Sequence, residues 1–109
     1  MSSLHPEPLV VEFAGELTLR TIADAHARLQ AAFEAGSAVT ARIEADATVD
    51  LSFVQLIESA RRSARDAGGD FTLAAPAEQG LLETLRRGGF VQTESQRAFW
   101  LQQQTSGTH

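Results

Sequence analysis

The stretch VDLSFVQLIESARRSARDAGGDFTLAA, Val49 to Ala75, decides how this chain is read. Phe53, Leu56, Ile57, Ala60, Ala64 and Ala67 recur at three- and four-residue spacing, the apolar stripe of an amphipathic helix. The spacing predicts a helix from Ser52 to Ala67. Glu58 and Arg62 stand i,i+4 in the favourable order. Gly68 and Gly69 stop the helix, and DFTLAA after them reads as a strand. Ser52 with Gln55 three residues on forms the pattern of a capping box, in which the serine hydroxyl accepts from a backbone N–H. Asp50 adds negative charge at the positive end of the helix dipole.

Working outward, AVTARIEA upstream alternates cleanly. Val39, Ala41, Ile43 and Ala45 face one way, and Thr40, Arg42 and Glu44 the other. TIADAHARLQAAFEAG before it carries Ile22, Ala25, Leu29, Ala32 and Phe33 on one helical face. Thr21 with Asp24 resembles a capping pair, Thr18 is the rival start, and Gly36 sits where a C-cap glycine belongs. LVVEFAG opens the ordered chain as a strand. Downstream, Pro76 is placed to open a third helix, with Leu81, Leu82 and Leu85 on its apolar side and Gly88-Gly89 at its end. FVQT is expected as a last strand, and AFWLQQQ as a strand or a short helix. Strands alternating with helices predict an α/β domain over residues 9–103. Residues 1–8 read as a flexible leader and 104–109 as a disordered tail.

Composition narrows the functions. The 109 residues suit one domain, and 43% hydrophobic content suffices for a core. The net charge is -5, from 9 basic and 14 acidic residues, which argues against a nucleic-acid binder. There are 0 cysteines, so disulfides, thiolate metal sites and cysteine nucleophiles are excluded. Neither a secretory signal nor an apolar run of roughly 20 residues is visible, and the expectation is a soluble cytoplasmic protein without membrane insertion.

Enzyme chemistry finds little support. The glycine pairs follow helices and read as stops rather than as a phosphate loop. His5 and His109 lie near the termini, and His26 sits among apolar helix positions as a packing or rim residue, so no metal or other cofactor is expected. Glu44, Asp46 and Asp50 cluster around one loop, but no lysine and no nearby histidine answers them; a solvated acidic loop is the simpler reading. Arg61, Arg62, Arg65, Arg86 and Arg87 fall on polar faces or in last turns, where they complement the helix dipole. Trp100 is expected in the core or at its edge.

Ser52 has two readings. It is a helix cap, or it is a modification site at a helix start, where a phosphoryl group adds about -1.5 to -2 charges that the dipole tolerates and a docked partner does not. Leu51 precedes the helix and Val54 lies off the apolar stripe, so both are expected at the surface beside Ser52, as an apolar rim suited to a protein interface.

FAGELTLRTIADAHARL, VDLSFVQLIESARRSARDAGGDFTLAAP and LLETLRRGGF together resemble the STAS domain family, over Leu9 to Phe90. The resemblance implies a small mixed sheet of about four to five strands with helices packed mainly on one side. It also implies a non-enzymatic protein-interaction module, as in bacterial anti-sigma factor antagonists. Those proteins carry an Asp-Ser-Ser-Gly motif whose second serine is phosphorylated by a partner that is both serine kinase and anti-sigma factor. Here Asp50 takes the Asp, Leu51 the first Ser, Ser52 the phosphorylated Ser and Phe53 the Gly. The segment Asp50, Leu51, Ser52, Phe53, Val54 and Gln55 is then the expected partner-binding surface, with Ser52 the phosphorylation candidate. The form DLSF-x-QL is also similar to stand-alone members of chemotaxis and other signalling systems. An alternative resemblance is to the accessory subunit that binds the ATPase of lipid-transport ABC complexes, with no phosphorylation switch.

Overall fold

The computed structural model describes residues 8–103. Except for Pro8, the leader and the tail expected from sequence lie outside the described residues. The chain is mixed α/β, with β1 (Leu9–Phe13), β2 (Glu16–Leu17), α1 (Ile22–Ala35), β3 (Ala38–Ile43), β4 (Thr48–Val49), α2 (Leu51–Asp66), β5 (Asp70–Leu73), α3 (Gln79–Gly88) and α4 (Glu94–Trp100). A 3-10 turn, Leu19–Thr21, precedes α1.

The strands form a three-stranded sheet in the order β1-β3-β5 and a separate pair, β2-β4. Every pairing among the described residues is parallel, which corrects the expected mixed sheet. The reason lies in the connections: α1 and α2 are each a helical crossover between neighbouring strands, and crossovers return the chain in the same direction. In register, Val11, Ala41 and Leu73 stand side by side, as do Val10, Thr40 and Thr72. The first row and its companions Phe13, Val39 and Phe71 are buried, whereas Val10, Glu12, Arg42 and Thr72 are exposed. The alternation of each strand therefore puts one sheet face under the helices and leaves the other open.

The core between sheet and helices is built on Phe13, Val39, Phe53, Val54, Ile57, Leu85 and Trp100, all essentially without exposure. Each buried aliphatic or phenyl side chain contributes about 1.5–3 kcal/mol by leaving water. Phe13 meets Phe53 edge-on at 5.2 Å.

Several local expectations change. The first helix is capped through Thr18, which forms a capping box with Thr21 over the 3-10 turn; Thr21 makes no side-chain cap to α1. The third helix begins at Gln79 rather than Pro76, with Glu78 as its N-cap. FVQT is a turn, not a strand: Gly89 leaves α3 in the left-handed conformation, φ 79°, and the chain re-enters a helix at once. That helix, α4, resolves the open choice for AFWLQQQ, and a Thr93–Gln96 capping box starts it. Trp100 lies wholly in the core. No described helix is long and apolar enough to cross a membrane.

Candidate functional site

The residues singled out by sequence meet where β4 turns into α2. β2 and β4 pair at this end, Asp50 N–H donates to the Leu17 carbonyl at 3.2 Å, and Thr84 of α3 donates its hydroxyl to the Val49 carbonyl at 3.3 Å. The α2 N-terminus is thus held by two separate segments, β2 and α3.

Asp50, not Ser52, is the N-cap. One carboxylate oxygen accepts from Phe53 N–H at 3.3 Å and the other from Leu19 N–H at 2.9 Å. The helix starts at Leu51, so Ser52 is its second residue. Two cap patterns overlap in DLSFVQ, and the aspartate prevails because it satisfies two orphan N–H groups at once, one of them on a distant loop. The Ser52 hydroxyl makes no hydrogen bond among the described residues and is half-buried.

The expected partner surface divides. Leu51 is 41% exposed and Gln55 is exposed, but Phe53 and Val54 are at 0%, which removes both from any docking surface. Val54 is buried because α2 packs against β5 on one flank and α3 on another, so its apolar face is wider than one stripe. Phe53 turns inward onto Phe13, so its bulk does not crowd Ser52.

A residue absent from the expected set joins this surface. Leu19 is 68% exposed, the most exposed large hydrophobic described, and its N–H is bound to Asp50. Leu19 and Leu51 therefore flank the Asp50 cap, with Ser52 next in chain. The sequence signal was available in GELTLRT, where Leu19 falls outside both the β2 and the α1 apolar patterns.

The acidic loop does not assemble as a catalytic group. Asp50 is consumed by the cap, and Glu44 and Asp46 are exposed. No group of three metal-ligating side chains gathers among the described residues. His26 is exposed on the rim of an apolar groove of about 410 Å³ between α1 and α2. No family model, curated protein or solved structure matches the chain.

Proposed function

We propose that the protein is a non-enzymatic interaction module of the STAS type that its sequence resembles, acting in the cytoplasm as an anti-sigma factor antagonist-like regulator in bacterial signalling. It binds a protein partner (a serine kinase/anti-sigma factor or a chemotaxis protein) through Leu19, Leu51, Ser52 and Gln55, and phosphorylation of Ser52 releases that partner. The observation that carries this reading is that Ser52, half-buried and with a hydroxyl that makes no hydrogen bond among the described residues, follows the exposed Leu51 at the start of α2, where the Asp50 cap also holds the N–H of the exposed Leu19.

The physics separates binding from folding. A phosphoryl group on the second residue of α2 lies near the positive end of the helix dipole, so it is compatible with the fold. The same group puts a charge beside Leu51, where a partner's apolar surface would have to desolvate it. Burial of Phe53 keeps this surface open although the family glycine is missing.

The test compares partner affinity for wild type, Ser52→Ala and Ser52→Asp after capture from native lysate and identification of the bound protein. The expected result is about a tenfold or greater loss for Ser52→Asp, equivalent to about 1.4 kcal/mol, with Ser52→Ala close to wild type. Equal affinity of all three removes the switch. Equal capture of a transporter ATPase with its permease would establish the accessory-subunit reading instead.

A further inference from the structure

We infer that the outer edge of β1 is a self-association site, at which two copies of the chain pair antiparallel through Pro8 to Glu12, centred on Val10.

The edge groups follow from the strand pattern. Phe13 accepts from Glu44 N–H at 2.9 Å, so its peptide groups face β3. Strand residues alternate, so Leu9 and Val11 also face β3 while Val10 and Glu12 turn their N–H and C=O outward. One outward group is already used: Arg28 of α1 donates to the Glu12 carbonyl. A second is missing by chemistry, because Pro8 has no N–H. The Pro8 carbonyl, both Val10 groups and the Glu12 N–H have no partner among the described residues. On the opposite edge of the sheet, Gln102 donates to the Leu73 carbonyl at 2.8 Å.

This set is complementary to itself in one register. With Val10 opposite Val10 of a second copy, each donates to the other. Glu12 then stands opposite Pro8, and its N–H meets the free Pro8 carbonyl. The Pro8 nitrogen, which cannot donate, faces the Glu12 carbonyl, which Arg28 has filled. Neighbouring registers break the match. Centred on Leu9, the Val10 carbonyl faces a proline with no N–H. Centred on Val11, the Val10 N–H faces the carbonyl occupied by Arg28. The side chains agree as well: Val10, 52% exposed, packs against its twin, and Glu12 opposes a proline rather than another acid. The contact is isologous, as two-fold dimers require, and joins two three-stranded sheets into one.

Sedimentation equilibrium on the full chain tests this. The expected result is a dimer for wild type and at least about tenfold weaker self-association for Val10→Pro, with an unchanged circular dichroism spectrum. Proline is tolerated there because the lost N–H points away from β3. Should Val10→Pro not fold, Val10→Lys places two like charges face to face and serves the same purpose. The register has its own readout, since the natural chain has 0 cysteines. Hydrogen-bonded antiparallel partners lie about 5.5 Å apart between Cα atoms, within disulfide reach, so oxidised Val10→Cys crosslinks. Glu12→Cys, about 14 Å from its twin, does not. A monomeric wild type, a dimer that survives both Val10→Pro and Val10→Lys, or crosslinking that is equal at both positions would overturn the proposal.

Discussion

The indole N–H of Trp100 donates to the Glu58 carboxylate at 2.6 Å, joining the last helix to the middle of α2 inside the core. The other oxygen of Glu58 holds Arg61 at 2.8 Å, and Arg61 in turn donates to Ser95 at 3.0 Å and lies over the Phe99 ring at 5.0 Å. Glu58 is the one buried charged residue described, and it is tolerated because both its oxygens are occupied. This network fixes α4 against α2.

Removing Glu58 leaves an arginine and an indole without their acceptor. Glu58→Ala is expected to cost about 3 kcal/mol, as breaking one side of a buried pair does. Trp100→Phe keeps most of the core volume and leaves the Glu58–Arg61 pair, and is expected to cost about 2 kcal/mol. Urea unfolding followed by far-ultraviolet circular dichroism checks the order. A larger loss for Trp100→Phe would show that packing, not the carboxylate, holds α4.

Asp50 and Ser52 can be told apart in the same way. Asp50→Ala removes the acceptor of two N–H groups and is expected to lower stability by about 1–2 kcal/mol. Ser52→Ala removes no hydrogen bond found among the described residues and is expected to stay within about 0.5 kcal/mol. The reverse order in denaturant midpoints would return the cap to Ser52.

Much of this fold is legible in the sequence, and what is not has a physical reason. The α2 stripe, the strand alternation of Val39 to Ile43 and the glycine stops are local patterns, and they appear where their spacing puts them. The choice of Asp50 over Ser52 turned on Leu19, 31 residues away, and no local rule contains that bond. Val54 was misplaced because a stripe describes one packing partner and α2 has several. The start of α4 was readable, since Thr93 and Gln96 form the T-x-x-Q pattern of a capping box, but the aromatic run after it resembled a strand. At the site, Leu51 as an exposed rim was legible; Leu19 became part of it only through the tertiary position of its loop.

The two glycines after α2 do different work, which substitution separates. Gly68 has φ 80° with open space around it, so Gly68→Asn, a residue that visits this conformation, is expected to cost well under about 1 kcal/mol. At Gly69 a Cβ would sit 2.5 Å from the Ser37 carbonyl oxygen. That oxygen also accepts from Asp70 N–H at 2.8 Å, so it cannot retreat without opening the start of the β3-β5 pairing. Gly69→Ala is therefore expected to cost about 2 kcal/mol, in the range of an overpacked interior. Thermal midpoints that fall equally in both variants would contradict this distinction.

Leu19 offers the sharpest separation of function from stability. Its side chain is 68% exposed, while its N–H is fixed by Asp50, so the side chain can change without moving the loop. Leu19→Glu is expected to alter unfolding free energy by less than about 0.5 kcal/mol. If Leu19 and Leu51 form the apolar centre of a partner interface, the same change puts an uncompensated charge there and weakens binding about tenfold or more. Leu51→Lys should act in the same direction, and the double variant should fall short of the sum, because both residues serve one contact. Titration of the captured partner against the three variants decides the matter. Unchanged affinity for Leu19→Glu would remove this end of the fold as the docking surface, whatever the fate of Ser52.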